Sequence, residues 1–505
     1  MSDGSASGFD PRPSAVVIGA GFGGLAAAVR LGARGYRVTV LERLDQPGGR
    51  ARTHRQDGFT FDAGPTIVTA PFLFEDLWSL AGRRMADDLT LAPLDPFYRI
   101  RFHDGSTFDC SGDAQAMRGE VNRLSPRDLA GYERFLAFSE ELCRVGFEQL
   151  GDRPFSSFSD MIRVAPKLVR LQAYRSVYGL VAGFVKDERL RQALSFHPLF
   201  VGGDPFHAPS LYALIAFLER RWGVHYAMGG VGKLVDGLVR LINGQGGRVA
   251  LRADVERIVV EGGRATGVRL KGGETVSADV VVSNADSAFA YGSLLGSETR
   301  RRWTDRKLAA ARYSMSLFVW YFGTRKTYPD LPHHLILMGP RYRGLLDDIF
   351  RSKRLSDDFS LYLHRPTATD PSMAPKGCDC FYVLAPVPNL QGATDWTTEA
   401  ECFRKKIEQS LSESVLPGLA DAIVTSRVAT PLTFRDDFSS PHGAAFGLEP
   451  VLTQSAWFRP HNVSEEFENL YLVGAGVHPG AGLPGVLSSA KILDKVVPHG
   501  STLIH

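Results

Sequence analysis

The stretch "SAVVIGAGFGGLAAAVRLGARGYRVTVLER", residues 14–43, reads as strand, tight turn, helix and strand. Val16, Val17 and Ile18 make a short buried strand. Gly19, Gly21 and Gly24 complete G-x-G-x-x-G around Phe22 and Gly23, and Leu25 to Arg34 is alanine-rich helix. A second strand, Val38 to Leu41, ends at Glu42, 18 residues after Gly24. Each part has a task in holding a dinucleotide. Gly19 permits the sharp turn, Gly21 lets backbone approach a pyrophosphate, and Gly24 lets helix pack on strand. The helix N-terminus then offers unpaired N–H groups to the phosphates. Glu42 accepts from the ribose hydroxyls, and a carboxylate there disfavours a 2′-phosphate. The expected fold class is α/β with a Rossmann-like dinucleotide site, and NAD or FAD remains.

The rest of the chain narrows the setting. With 505 residues, 44% of them hydrophobic, several domains or one large composite unit with a sizeable core are expected. A net charge of +3 is close to neutral and gives no reason to expect nucleic acid as a partner. Five cysteines, an odd number scattered over the chain, do not form a disulfide framework, which suits a reducing, cytosolic compartment. Cys378 and Cys380 form a C-x-C with no second pair at zinc spacing, so no metal site is expected. The N-terminus "MSDGSASGFDPRPS" carries no apolar signal region, and no run reaches the roughly 18 apolar residues that span a bilayer. "SLFVWYFG", residues 316–323, has the length of a buried strand.

A second glycine loop decides the cofactor. "QPGGRARTHRQDGFTFDAGPTIV", residues 46–68, brings Gly48, Gly49 and Arg50 directly after the acidic strand end, then Gly64, Pro65 and Thr66. An NAD site has no need of this. The segment resembles that of the two-dinucleotide-binding-domain flavoproteins, which implies FAD with Gly49 and Arg50 along the pyrophosphate and flavin. In that superfamily the chain returns at its end to close over the flavin. "LVGAGVHPGAGLPGV", residues 472–486, is the matching segment, with Gly474, Ala475, Pro484, Gly485 and Val486 as its contacts. A helix starting near Val486 would point its N-terminus at the flavin, where negative charge grows on reduction.

Four stretches together resemble the bacterial and fungal type of phytoene desaturase. They are "GAGFGGLAAAVRL" with "PGGR", "FDAGPTI", "LSFHPLFVGGDPF" (194–206), and "TQSAWFRPHN" (453–462) running toward the C-terminal glycine loop. The resemblance covers residues 14 to about 495. Ala475 stands where many flavin amine oxidases carry an acidic residue, which argues against that activity. The resemblance implies desaturation of phytoene to neurosporene or lycopene, with FAD taking a hydride and a quinone or oxygen as electron acceptor. It also places the backbone of Val255 at the adenine. The alternatives are a desaturase of a later carotene, a carotene cis–trans isomerase, another flavin oxidase, or a flavin-free prenyl-binding chaperone of the same fold.

The resemblance further implies a discontinuous FAD domain (14–105, 226–305, 440–495). Into it are inserted a helical region (106–225) and a strand-rich α+β substrate domain (306–439), with tails at 1–13 and 496–505. Within 158–185, Arg163, Lys167, Arg170 and Arg175 alternate with apolar residues, the pattern of a helix lying in a membrane interface. The expected partners are therefore phytoene, downstream carotenes and a lipid bilayer surface, with peripheral attachment on its cytoplasmic face. For proton uptake, Asp160 and Arg163 share one side of a helix at i, i+3. His478 and His197 lie in the two most family-specific motifs. The expected catalytic set is Asp160, Arg163 and His478.

Overall fold

The computed structural model describes residues 11–296 and 300–503. The expected tail at 1–13 therefore falls almost wholly outside the described residues. Strand Ser14–Ile18 stands at the centre of a five-stranded parallel sheet, flanked by Val280–Ser283 and Leu470–Leu472 on one side, Arg37–Leu41 and Arg248–Ala250 on the other. Three distant segments thus build one sheet. The period-2 alternation of a strand separates its two faces. Ala15 and Val17 join a core with helices Phe22–Ala33, Gly232–Gly244 and Leu483–Lys491. Val16 and Ile18 face the other way, into a core with the antiparallel strands Val255–Glu261 and Arg264–Leu270. Parallel strands covered on both faces need near-continuous apolar runs, which these have.

The second sheet is seven-stranded, in the order Ile423–Ala429, Ser316–Thr324, Asp379–Val387, Leu361–His364, His334–Leu337, Tyr98–Arg101 and Thr107–Cys110. The "SLFVWYFG" stretch is its fully buried strand Ser316–Thr324. Phe318, Trp320 and Phe322 pack against helix Trp396–Ser414 through Phe403, Ile407 and Leu411. Leu317, Val319 and Tyr321 point to the opposite face, into the largest core. That face becomes one wall of the cavity described below.

Two boundaries differ from the expected ones. Residues 98–110 belong to the seven-stranded sheet, because Arg99 pairs with Leu335 and Tyr98 with Cys110. Residues 496–503 are docked: Tyr36 donates to the Pro498 carbonyl at 2.9 Å and the Gly500 N–H to the Arg34 carbonyl at 2.9 Å. Helix Gly232–Gly244 lies so close to helix Phe72–Leu80 that a methyl on Gly237 would sit 2.4 Å from the fully buried Trp78 ring. Gly237→Ala should therefore overpack this contact and cost about 1–3 kcal/mol, read as a lower midpoint in denaturant unfolding. An unchanged midpoint would mean that the helices separate freely.

Candidate active site

The site begins at the turn after the first strand. Gly19 has φ +91°, and its N–H donates to the Leu41 carbonyl at 2.8 Å. Helix Phe22–Ala33 follows with Gly21 at its N-cap, no side chain capping it and no acidic residue in its first turn. A bare helix start suits an anion. Gly48 (φ +110°) donates to the Ala20 carbonyl at 2.8 Å, which fastens the second glycine loop to the first. The Glu42 carboxylate is held by the N–H groups of Ala20 (2.8 Å) and Leu44 (2.9 Å), leaving lone pairs on both oxygens for hydroxyl donors. Arg50 donates to Ser440 Oγ at 2.7 Å, while its Nε is buried without a partner. Burial pushes the Arg50 guanidinium down and the Asp286 carboxyl up, and each charge opposes the other's shift.

The C-terminal segment completes the site. Gly474 (φ +94°) donates to Ser489 Oγ at 2.8 Å. Helix Leu483–Lys491 begins at Gly482, without a side-chain cap or an acidic first turn. It starts three residues before the expected Val486. These loops line one cavity of about 590 Å³. Gly19, Gly21, Phe22, Gly23, Glu42, Gly49, Arg50, Gly64, Pro65, Thr66, Val255, Gly474, Ala475, Pro484, Gly485 and Val486 all border it. Gly24 does not: a Cβ there would lie 2.0 Å from the Gly19 carbonyl oxygen, so this glycine serves helix–strand contact.

The same cavity is bordered by Leu317, Val319, Ile336, Met338 and Leu384 beside the seven-stranded sheet, and by Phe196 and Phe200. Thr66, Tyr382 and Tyr362 form a polar cluster in this wall, with Thr66 Oγ1 2.7 and 3.1 Å from the two phenols. Met161 and Leu168 of helix Phe158–Arg170 close one side, next to Leu452 and Ala456.

The expected catalytic residues separate here. His478 borders the cavity, and among the described residues it is the only histidine that does. Its Nε2 lies 3.0 Å from the Leu150 carbonyl oxygen, which can only accept, so Nε2 carries the hydrogen and Nδ1 the lone pair. Burial, with Arg459 adding, pushes the imidazole down to about 4. Asp160 and Arg163 do not border the cavity. Asp160 closes a capping box, accepting from Ser157 N–H at 3.2 Å and Ser157 Oγ at 3.0 Å, with Arg153 and Arg163 at 3.7 and 3.6 Å. Although its partial burial works the other way, the Ser157 hydrogen bonds hold its carboxyl below the usual range. The structure corrects this expectation: the pair is a helix cap and a surface ion pair. His197 is occupied with Tyr98, 3.0 Å away, which donates to Glu219 at 2.8 Å.

Two residues central to the site were not singled out from the sequence, although Arg459 lies within the "TQSAWFRPHN" stretch. Asn284, at the end of strand Val280–Ser283, is wedged among Gly19, Gly23 and Gly474. Arg459, buried, donates to the carbonyls of Leu448 (3.2 Å) and Ala475 (3.0 Å) and so holds the C-terminal loop.

Two glycine loops, an uncapped helix start and a returning C-terminal loop define an FAD-binding flavoprotein of the two-dinucleotide-binding-domain class. Residues 22–492 match the flavin containing amine oxidoreductase family. A neurosporene-forming phytoene desaturase of Cereibacter sphaeroides is 53% identical over 489 residues, covering 96% of this chain and 94% of the relative. A lycopene-forming phytoene desaturase of Pantoea ananas is 49% identical over 476 residues, covering 94% and 97%. Among solved structures, putrescine oxidase bound to putrescine shares the fold at 13% identity and TM-score 0.64, covering 96% of this chain and 99% of that one. The chain belongs to the phytoene desaturase family, within the flavin containing amine oxidoreductases, and its cofactor is FAD.

Gly21 has an ordinary φ of −73°, and a methyl there would meet only the Asn284 side chain, at 3.0 Å. Its lack of a side chain therefore serves the ligand. Gly21→Ala should keep the unfolding midpoint of the FAD-free protein but bind FAD at least about tenfold more weakly, a loss of about 1.4 kcal/mol. Gly24→Ala should lower the midpoint as well, by about 1–3 kcal/mol. Flavin absorbance per chain and thermal unfolding separate the two, and equal behaviour would refute the division of roles.

Proposed function

We propose that the protein desaturates phytoene to more conjugated carotenes of the neurosporene–lycopene series. The observation that carries this reading is the continuity of the dinucleotide loops with a long apolar wall in one cavity. Bound FAD would supply the oxidant, accepting hydride from a carbon beside the existing triene. The chain's own residues do the rest. A hydrocarbon offers no polar handle, so Leu317, Val319, Ile336, Met338, Phe196 and Phe200 would hold it by shape and burial, at roughly 25 cal/mol per Å². The same wall keeps water from the reacting carbons. His478 Nδ1 is the proposed acceptor for the proton lost from the neighbouring carbon. Its burial keeps that nitrogen unprotonated at neutral pH and makes its conjugate acid strong enough to pass the proton on. A quinone, lipid-soluble like the substrate, or oxygen would take the electrons.

The substrate would enter from the membrane. Helix Phe158–Arg170 turns Met161 and Leu168 to the cavity, while Phe158, Ile162 and Val169 stand 53%, 61% and 63% exposed beside exposed Arg163, Lys167 and Arg170. Leu452, itself exposed, borders the cavity, and exposed Phe458 follows it on the adjoining segment. An apolar rim with cations suits peripheral attachment to the cytoplasmic face of a bilayer. Arg175 does not join it, being turned inward onto Gln172 and the Gly179 carbonyl.

The deciding experiment is anaerobic incubation with phytoene in anionic liposomes, with and without a quinone, read by product absorption. Red-shifted products are expected with quinone; an isomer of unchanged hydrogen count would overturn the reading. Replacing Phe158, Ile162 and Val169 together by Ser should weaken liposome binding at least about tenfold. Conversion should fall with it at constant flavin content. Binding equal to the parent's would place the membrane face elsewhere. His478→Gln should lower turnover by about 10²–10⁴ with FAD retained. Because a base that titrates at about 4 is fully available above that value, turnover should be flat from pH 8 to 6 and fall only toward 4. A fall centred near 6.5 would assign the base to an ordinary imidazole.

A further inference from the structure

One side-chain cluster plays no part in this reading. Strand His334–Leu337 pairs antiparallel with Leu361–His364, and the register sets His334 opposite His364. His333 precedes the first strand and folds in beside them. All three are buried, and ligand atoms of the three lie within 4.8 Å of one another. His333 Nε2 and His364 Nε2 are 3.0 Å apart. That is close to the edge of a tetrahedron, about 3.3 Å for metal–nitrogen bonds of 2.0–2.1 Å.

The outer nitrogens of two rings are already held. His333 Nδ1 lies 2.7 Å from Thr369 Oγ1, and His334 Nδ1 lies 2.8 Å from the Tyr362 hydroxyl. Imidazoles that bind a metal through one nitrogen commonly donate the other to such an oxygen, which sets tautomer and ring direction. In that tautomer the Nε2 atoms of His333 and His334 present lone pairs inward. His334 Nε2 has no partner, and nor do His364 Nδ1, the Tyr226 hydroxyl and Asp62 Oδ2, all buried. The Tyr226 ring lies tilted against His333, with ring centres 4.6 Å apart, and 6.0 Å from His364. A buried polar atom left unpaired costs about 1–3 kcal/mol, and an ion among the three rings would satisfy His334 Nε2. Asp62 and Asp370, both buried, face Tyr226; at His333 burial and Arg365 push the imidazole down, and Asp370 opposes them. Arg365, the nearby guanidinium, is committed to Asp379 at 3.0 Å and the Leu331 carbonyl at 2.8 Å.

We infer that His333, His334 and His364 bind one divalent transition-metal ion. Three imidazoles without thiolate suit zinc, with a water to fill the fourth position of a tetrahedron, whereas magnesium and calcium require oxygen ligands. The ion ties two strands together directly behind Tyr362, which borders the cavity. The site is independent of the reaction proposed above.

The test uses full-length holoprotein made without a histidine tag in zinc-replete cells. Metal per chain is measured by plasma mass spectrometry after dialysis against a chelator at neutral pH. About one zinc per chain is expected. Growth in cobalt should give tetrahedral ligand-field bands at wavelengths beyond the flavin absorption. His364→Gln should lose the metal and lower Tm, with FAD still bound. If that variant does not fold, the cobalt spectrum of the parent decides alone. Less than about a tenth of an equivalent of metal in the parent, with no cobalt bands, overturns the site. So does metal that the chelator strips, or that His364→Gln retains.

Discussion

Everything in this structure depends on a place where three segments of backbone meet around one side chain, that of Asn284. A Cβ on Gly23 would come within 2.9 Å of Gly474 Cα and 2.5 Å of Asn284 Oδ1, and one on Gly24 within 2.0 Å of the Gly19 carbonyl oxygen. Those residues come from the start, the middle and the end of the chain. Their contact is what lets Ser14–Ile18, Val280–Ser283 and Leu470–Leu472 lie side by side in one sheet. Moving the segments apart by one methyl group would pull the strand ends out of line. The helix starts above them would then no longer point into one cavity. The glycines lose more backbone entropy on folding than other residues would, and the offset is a cofactor that binds only the assembled state.

The same closure shapes the chemistry. Because the last segment returns over the first, the dinucleotide loops and the apolar face of the seven-stranded sheet border one cavity. Low polarity there strengthens every charge effect, and it is also why His478 is held neutral and Arg50 is pushed down. The polar groups that do reach the wall are mostly engaged already, as Thr66 is with Tyr382 and Tyr362. A hydrocarbon then meets few unpaired dipoles along its path.

Much of this was legible in the sequence, for identifiable reasons. Glycine loops must keep their spacing because the backbone itself is the binding surface, so Gly19, Gly21, Gly49 and Gly474 announce themselves. "SLFVWYFG" reads as a strand because both its faces are buried. Asp160 and Arg163 misled because i, i+3 spacing shows that two side chains share a helix side but not which way that side faces. Their helix turns Met161, Val164 and Leu168 inward, and the pair serves its N-terminal cap and outer rim. Asn284 was silent because it acts on glycines far off in the chain, and Arg459, inside "TQSAWFRPHN", because spacing alone does not show that it holds the carbonyls of Leu448 and Ala475. The three histidines were silent for the same cause: His334 and His364 meet only through strand register.

That last point bears on how relatives differ. A neurosporene-forming desaturase and a lycopene-forming one, of Pseudescherichia vulneris, are 53% and 51% identical to this chain, so overall similarity does not track the product. The loops that hold FAD cannot carry the distinction either, since they face the cofactor. In a tunnel without a polar anchor, a hydrocarbon's register against the oxidising centre depends on where the far wall stops it. One CH₂ of misfit is worth about 0.8 kcal/mol, so a few side chains in that wall are enough to move the register. Phe196, Leu199 and Phe200 border the cavity there, and Tyr98 and His197, which pack on Phe196 and Phe200, are pinned to Glu219 and to each other. A buried hydrogen-bonded trio behind an aromatic wall makes that wall stiff.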